Sequence, residues 1–159
     1  MQKSLIVESV KETEKIGVIL GENSFSSGVI CLTGDLGAGK TALSQSIGRG
    51  IGVEEYITSP SFAILHEYNG RIPFYHMDFY RLGSSDEVID LGFEDHFYGD
   101  GLCVIEWFER AEELIPEDHL KISITHLDER RREFQFAYLS ESLWAKVVEQ
   151  IFEEVAQNG

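Results

Sequence analysis

The amino-acid sequence predicts an α/β fold: one three-layer domain with a mixed parallel and antiparallel sheet and helices on both faces. Short apolar runs that suit buried strands alternate with segments whose apolar residues recur at helical spacing. Asn69-Gly70 lies between two strand-like runs and is a strong hairpin signal, which makes part of the sheet antiparallel. Because the 159 residues contain no repeat or linker-like stretch, we predict a single domain over residues 1–159.

The first part of the chain contains two predicted strand–helix pairs. Residues 4–8 form a short strand, and residues 11–20 form a helix that begins near Thr13. Residues 29–33 are a compact apolar run, typical of a buried strand, and residues 41–51 form the helix that follows it.

The remainder of the chain adds strands and two further helices. Strands are predicted at 62–68, 72–79, 102–107, 119–125 and 134–139. A short acidic helix is predicted at Ser85–Asp90. In the C-terminal region Leu143, Val147, Ile151 and Val155 recur at helical spacing, so an amphipathic helix is expected to pack on the sheet.

The charge balance argues against a surface that binds nucleic acid by itself. Asp and Glu number 28 against 13 Lys and Arg, which gives a net charge of −15. Proteins that bind nucleic acid through their own surface usually carry a basic stripe, and this chain would repel a polyanion over most of its surface. The one basic cluster, Arg130 to Arg132, fits either a solvated turn or a local binding patch.

Composition favours a cytoplasmic protein with no membrane segment. No apolar run approaches the roughly 20 residues that a membrane-spanning helix needs, and the N-terminus lacks the long apolar centre of a secretory signal. Cys31 and Cys103 are the two cysteines, and each lies in an apolar, strand-like run. We therefore expect both to be buried, reduced thiols.

Residues 34–41, with the sequence GDLGAGKT, match the phosphate-binding P-loop, or Walker A motif. An apolar strand precedes the motif and a helix follows it, as a P-loop NTPase-like fold requires. Backbone N–H groups and the helix N-terminus would bind phosphate, Lys40 would contact the β- and γ-phosphates, and the Thr41 hydroxyl would bind Mg²⁺. The other predicted nucleotide-binding residues are Asp35, Leu36, Gly37, Ala38 and Gly39 within the motif, and Ala42 directly after it.

Two carboxylates are candidates for the chemistry of hydrolysis. Asp78 and Glu106 lie at or near the ends of predicted strands, where the ligand sites of α/β sheets gather. One would hold Mg²⁺ and the other would orient the attacking water, with Lys40 beside them. The sequence leaves open which carboxylate has which role.

Three neighbouring residues allow more than one interpretation. His76 shares a strand face with Asp78, which fits a His-x-Asp metal pair, but no third ligand is evident and we favour a polar contact beside the site. For Arg81 we favour a structural ion pair over a phosphate contact. For Trp107 we favour packing over a stacking platform, since it directly follows a buried strand.

The nucleotide is predicted to be ATP, because the NKxD signature that selects guanine is absent from the sequence. Three classes of function remain open at this point. The first is an ATPase that works on behalf of a partner, the second is a small P-loop kinase, and the third is a nucleotide-gated binding module with negligible hydrolysis.

Four motifs occur in order: GDLGAGKT at 34–41, SPSF at 59–62, HMDFYRL at 76–82 and VIEWFER at 104–110. Together they resemble the TsaE (YjeE) family of bacterial ATPases, whose usual patterns are GDLGAGKT, SPTF, HxDxYRL and IEWxE. The resemblance runs from about Thr13 to Arg132.

The resemblance implies a role in forming N6-threonylcarbamoyladenosine (t6A), the modified adenosine beside the anticodon of tRNAs that read codons beginning with A. In that family the protein acts with TsaD and TsaB, and its ATP hydrolysis supports turnover of the complex. Contact with tRNA would then occur only through the complex, which agrees with the acidic charge. Hydrolysis by the protein alone is expected to be slow, because no arginine finger is evident.

The resemblance also implies roles for individual residues. Lys40 and Thr41 would hold phosphate and Mg²⁺, Glu106 would be the Mg²⁺-associated carboxylate, and Asp78 would be needed for hydrolysis. The nucleotide-sensing switch loop would be Ser59, Pro60, Ser61 and Phe62. Thr13 and Arg132 would help to hold ATP, and the remaining motif residues are His76, Tyr80, Arg81 and Trp107.

Three positions depart from the family pattern. Ala42 stands where many members have a second Thr, which removes a hydroxyl contact to the α-phosphate. Ser61 replaces Thr and keeps the hydroxyl, and Phe108 replaces a Pro, which affects local loop shape.

Overall fold

The computed structural model describes residues 1–35 and 39–155. The strands are β1 (Gln2–Val7), β2 (Val29–Gly34), β3 (Leu65–Tyr68), β4 (Phe74–Asp78), β5 (Leu102–Glu106), β6 (Leu120–His126) and β7 (Arg132–Ala137). The helices are α1 (Val10–Glu22), α2 (Lys40–Ile51), α3 (Ser85–Asp90), α4 (Glu94–Phe97) and α5 (Leu143–Glu154), with a 3₁₀ helix at Phe108–Leu114.

The strands form one sheet in the order β1-β7-β6-β2-β5-β4-β3. The four central strands, β6, β2, β5 and β4, run parallel to one another. β1 and β7 at one side, and β3 at the other, pair antiparallel with their neighbours. The mixed sheet predicted from the sequence is confirmed, and the parallel centre brings the carboxyl ends of β2, β4 and β5 to one edge.

Helices cover both faces of the sheet, so the three-layer prediction is also confirmed. On one face α1, α2 and α5 contribute residues such as Ile16, Leu43 and Trp144 to a buried cluster that they share with the strands. On the other face α3, α4 and the 3₁₀ helix close a second cluster with residues such as Val88 and Phe97. The faces of the sheet are apolar because side chains of successive strand residues alternate between them.

The predicted hairpin around Asn69-Gly70 is present but differs in its details. β3 and β4 pair antiparallel, yet residues 69–73 join them, so the loop is longer than a two-residue turn. The Arg71 amide donates a hydrogen bond to the Ile51 carbonyl at 2.7 Å, which ties the loop to the end of α2. β3 also begins at residue 65 and not at 62, because Ile64 has a φ of 72° and its N–H bonds back to the Pro60 carbonyl.

The other predicted elements lie within two residues of the observed bounds at each end. α4 was not predicted, since a helix of four residues leaves little periodic signal. The predicted apolar face of α5 is wrong at its first position. Leu143 is exposed, whereas Trp144 and Val148 are buried together with Val147 and Ile151.

Both cysteines are free and buried, as predicted. Burial raises the pKa of the Cys103 thiol to about 12, and burial likewise raises the pKa of Cys31. Neither group is therefore a nucleophile at neutral pH. Within the described parts of the chain, no helix is both long and apolar enough to cross a membrane.

The close packing of α1 against the C-terminal end of α2 depends on glycine at position 21. A Cβ on Gly21 would overlap backbone atoms of Ile47, Gly50 and Ile51, which cannot move aside as a side chain can. We predict that Gly21→Ala lowers the free energy of unfolding by about 2 kcal/mol through overpacking, measured by urea denaturation. The control is Gly99→Ala, where a Cβ would meet its nearest atoms at 3.5 Å. An unchanged midpoint for Gly21→Ala would contradict this account.

Candidate nucleotide and metal site

The start of α2 is arranged to bind an anion. Gly39 precedes the helix with a left-handed φ of 112°, and it offers no side chain to cap the first backbone N–H groups. The first turn of α2 contains no acidic residue and begins with Lys40. A lysine at the positive end of a helix dipole is unfavourable by itself, so this arrangement favours an anion at the helix N-terminus.

Helix α1 shows the opposite arrangement. Its N-cap residue Ser9 accepts a hydrogen bond from the Glu12 amide at 3.2 Å, and Glu12 places a carboxylate in the first turn. α1 therefore satisfies its own N-terminus, whereas Gly39 supplies no side-chain cap to α2. Of the predicted loop residues, Asp35 is exposed just after β2, and Leu36, Gly37 and Ala38 lie outside the described residues.

A cavity of about 510 Å³ opens between the start of α2 and the ends of β4 and β5. It brings together the residues predicted to bind phosphate, to bind metal and to catalyse hydrolysis. The lining residues are Gly39, Lys40, Thr41, Ser59, Ser61, Asp78, Tyr80, Glu106 and Trp107.

Asp78 and Glu106 stand side by side at the sheet edge. They are the last residues of β4 and β5 and face each other in the parallel register. Both are buried, with 6% and 8% of their surface exposed. Asp78 accepts hydrogen bonds from the Tyr80 amide at 2.9 Å and from the Ser61 hydroxyl at 3.3 Å. The two carboxylates thus converge on one cavity, as the strand ends predicted.

Glu106 has a positively charged and a hydrogen-bonding partner. Its Oε1 lies 3.7 Å from Nζ of Lys40, and its Oε2 lies 2.9 Å from Nε2 of His76. Burial alone would raise the pKa of Glu106. The hydrogen bond from His76 and the attraction of Glu106 to His76 and Lys40 outweigh burial, so the pKa of Glu106 lies below its ordinary value. Glu106 is consequently a carboxylate at neutral pH.

The predicted switch loop contacts the carboxylate of Asp78 through Ser61. The Ser59 and Ser61 hydroxyls lie 2.8 Å apart, and Ser61 in turn donates to Asp78. Phe62 is 83% exposed, and the guanidinium of Arg81 lies 4.4 Å from the centre of its ring. The ion pair predicted for Arg81 is wrong, because no carboxylate among the described residues pairs with it and it stacks on an aromatic ring.

Trp107 lines the cavity and is not a core residue, so the prediction of a packing role is wrong. It has a left-handed φ of 57°, which turns the chain out of β5, and 41% of its surface is exposed. Its ring lies 5.9 Å from Nζ of Lys40 and 4.9 Å from the ring of Tyr80. The prediction failed because the run of apolar residues in β5 gave no sign that the chain turns after Glu106.

A second cavity, of about 310 Å³, lies on the other side of the start of α2 and shares Gly39 with the first. Thr13 from α1, Ala42 from α2 and Arg132 from β7 line it. These three positions are far apart in sequence, and the structure brings them together. The remaining lining residues are Glu8, Ser9, Val10, Glu129 and Arg130.

Sequence reasoning did not find Glu8, Ser9, Val10 or Glu129 as site residues. They reach the cavity because β1 pairs with β7, which places Val7 opposite Arg132. Such a long-range pairing leaves no local pattern. The one local signal is Ser9, which has the residue type and position of a helix N-cap before α1.

The oxygen groups around the first cavity fit Mg²⁺. The donors are the Thr41 and Ser61 hydroxyls and the carboxylates of Asp78 and Glu106, all hard oxygen atoms. Within residues 1–35 and 39–155, no group of three or more His, Cys, Asp or Glu side chains is close enough to hold a metal. Mg²⁺ usually binds through one or two protein carboxylates and completes its shell with phosphate and water.

The parallel sheet centre, the open N-terminus of α2 and the carboxylates beside it define an α/β protein of the P-loop NTPase-like class. Residues 7–134 match the family described as threonylcarbamoyl adenosine biosynthesis protein TsaE. The chain therefore belongs to the TsaE family.

Individual relatives agree with this assignment. The chain is 39% identical over 132 residues to the tRNA threonylcarbamoyladenosine biosynthesis protein TsaE of Treponema pallidum. The matched residues cover 83% of this chain and 98% of that protein. It is 39% identical over 127 residues to the TsaE protein of Bacillus subtilis, covering 79% of each. A crystal structure of Bacillus subtilis YdiB superposes with a TM-score of 0.75 at 32% identity, over 99% of this chain and 96% of that one.

Proposed function

We propose that this protein is the ATP-binding and ATP-hydrolysing component of t6A formation on tRNA, acting with TsaD and TsaB in the cytoplasm. Family membership supports the role in t6A formation. The observation that carries the ATPase proposal is the first cavity, in which an uncapped helix N-terminus and Lys40 face two buried carboxylates, Asp78 and Glu106. Anion binding and metal-assisted chemistry are thereby combined in one site.

In this proposal the triphosphate lies at the start of α2. The first backbone N–H groups of the helix and the Lys40 ammonium neutralise its charge. Lys40 already lies beside Glu106, so binding of the γ-phosphate would draw the ammonium from the carboxylate toward the ligand. When no anion is bound, Lys40 is paired with Glu106, so the site is ready for an anion and no charge is left unpaired when the anion leaves.

Hydrolysis in this proposal uses the residues at the strand ends. Bound Mg²⁺ would neutralise charge that develops on the phosphates, and Thr41 and Glu106 would hold it. Asp78 would accept a hydrogen bond from the attacking water and keep it in line with the γ-phosphate. Ser61 hydrogen-bonds to Asp78, which gives the switch loop a direct contact with this step.

The second cavity is proposed to hold the adenosine part of ATP. It shares Gly39 with the first cavity, so one nucleotide would extend through both. Thr13 offers a hydroxyl, Ala42 a small apolar contact and Arg132 a guanidinium near the ribose or α-phosphate. Arg132 is held there by hydrogen bonds from its Nη1 to the backbone carbonyls of Asp128 and Arg131, at 2.8 and 3.1 Å.

The adjacent arginines allow a matched test of this cavity. Arg132 lines the second cavity, whereas Arg131 pairs with Asp128 at the surface, at 2.7 Å. We predict that Arg132→Ala weakens ATP binding about tenfold, the size of one charge-assisted hydrogen bond. Arg131→Ala should leave the affinity unchanged in the same calorimetric titration. Equal effects of the two substitutions would show that the cluster acts only through its overall charge.

Hydrolysis by the protein alone is proposed to be slow and to depend on the partners. Arg81 stacks on Phe62, and Arg110 stacks on Tyr80 and Trp107, two residues that line the first cavity. Neither therefore serves as an arginine finger in this conformation. The acidic surface also favours an encounter with tRNA through the complex and not directly.

Reconstitution of t6A formation tests the proposal. TsaD and TsaB should modify tRNA over many turnovers with this protein and ATP, and should stop with the Lys40→Ala variant. Phosphate should be released to water, and faster in the complex than from the protein alone. Transfer of phosphate to a small-molecule acceptor would favour the kinase alternative, and full modification with Lys40→Ala would exclude a role for ATP bound here.

A further inference from the structure

His76 is a buried side chain next to the catalytic centre that the proposed function leaves without a role. It lies on β4 two residues before Asp78, on the same face of the sheet. Only 2% of its surface is exposed. In the parallel register His76 stands opposite Val104, two residues before Glu106, so its ring reaches diagonally to the carboxylate.

The hydrogen bond between the two residues has a defined direction. A carboxylate can only accept, so the proton lies on Nε2 of His76, which donates to Oε2 of Glu106 at 2.9 Å. This bond occupies one oxygen of Glu106. The other oxygen, Oε1, lies 3.7 Å from the Lys40 ammonium, at the wall of the first cavity. The bond therefore determines which oxygen of Glu106 is presented to a ligand.

The surroundings of His76 indicate that this bond is the reason for a polar residue at the position. Its second nitrogen, Nδ1, is buried and has no hydrogen-bond partner in the described structure. The ring packs at 6.1 Å from the ring of Phe74, in an apolar environment. Burial of an unpaired polar atom is unfavourable, so an aromatic hydrocarbon would suit this space better if packing were the only demand.

We propose that His76 is a positioning residue that fixes the Glu106 carboxylate, so that one defined oxygen faces the cation that accompanies ATP. This inference rests on the proposed function of the site. Residues that hydrogen-bond to a metal-binding carboxylate orient it, and their loss typically lowers metal affinity or activity by 10- to 100-fold. The effect should thus appear in the cation dependence of binding, before any chemistry.

Three substitutions separate the hydrogen bond from packing. His76→Gln keeps an amide N–H at about the distance of Nε2, and His76→Asn moves the amide to about the position of Nδ1, too short to reach Glu106. His76→Phe keeps a ring and removes the donor. For each variant and the natural protein, the dissociation constant of ATP is measured by calorimetry with excess Mg²⁺ and again with EDTA. The ratio of the two constants is the contribution of Mg²⁺ to nucleotide affinity.

We expect this ratio to fall about tenfold in His76→Asn and His76→Phe, and to stay within about threefold of the natural value in His76→Gln. In a Glu106→Gln background, His76→Phe should cause no further loss, because the two residues act through one interaction. A ratio unchanged in both donor-free variants would overturn the proposal. Equal losses in Gln, Asn and Phe, or loss of folding in both Asn and Phe variants, would also overturn it, since the role would then be structural.

Failure of the proposed function gives a different result. If the natural protein does not bind ATP, or binds it equally well with EDTA, the ATP–Mg²⁺ site itself is wrong. If the natural protein shows a clear Mg²⁺ contribution that the variants retain, only the role of His76 is wrong.

Discussion

Replacing Lys40 with alanine should weaken the binding of ATP with Mg²⁺ by about 100-fold. The ammonium makes charge-assisted contacts worth about 1.5–3 kcal/mol each, and contacts with two phosphates give roughly 3 kcal/mol, or about two powers of ten in affinity. Its removal also takes away the positive charge that lies 3.7 Å from the buried Glu106, so the site has less positive charge to offset the phosphates. The measurement is a calorimetric titration with ATP and Mg²⁺.

The control for this substitution is Lys146→Ala, which removes the same charge from the exposed side of α5. It should leave ATP affinity unchanged, because an exposed charge far from the ligand is screened by salt. A similar loss of affinity in both variants would mean that net charge and not local contact decides binding. Circular dichroism should show that both variants are folded.

The second large effect is expected from Asp78→Asn, which should lower kcat for ATP hydrolysis at least about 100-fold. A positioned acid or base typically contributes 10²- to 10⁴-fold, and an amide cannot replace a carboxylate in orienting and polarising water. The amide oxygen can still accept the hydrogen bond from the Tyr80 amide, so the local turn should persist. The affinity for ATP should change by less than about tenfold, because the effect falls mainly on the chemical step.

Asp90→Asn, at the exposed end of α3, is the matched control and should hydrolyse ATP normally. Single-turnover measurements in the presence of TsaD and TsaB give the rate of the chemical step. If Asp78→Asn binds ATP, does not hydrolyse it and still supports many rounds of t6A formation, the protein is a nucleotide-gated binding module. If the variant hydrolyses ATP at the natural rate, Asp78 is not a catalytic residue.

Sequence patterns predicted most of the fold because central strands such as β2 and β5 are short and mostly apolar. β5 is buried along its length and β2 over its first four residues, and such runs lie next to clear breaks in hydrophobicity. The glycine-rich P-loop sequence predicted that β2 leads directly into α2. What the patterns could not show was the order of strands, since the pairing of β1 with β7 joins residues more than a hundred positions apart.

Strand ends and sequence motifs predicted part of the candidate site. Asp78 and Glu106 were identified because each follows an apolar strand, and the structure brings them side by side. Trp107 was misjudged because a positive φ in a non-glycine residue has no sequence signal. The environment of Arg81 was missed because a contact with the exposed Phe62 depends on the path of the loop. Such details are decided by tertiary packing and not by residue type.

The pairing of β1 with β7 has a consequence for the energetics of the whole domain. β1 is at the edge of the sheet, and β7 is its neighbouring strand in the described structure. Val7 ends this strand opposite Arg132, and Ser9 follows in the wall of the second cavity. A molecule bound in that cavity would contact both the segment that follows β1 and residues of α1, α2 and β7. Its binding energy would therefore stabilise the pairing of β1 with β7. The amino-terminal segment would then contribute to ligand binding as well as to the sheet.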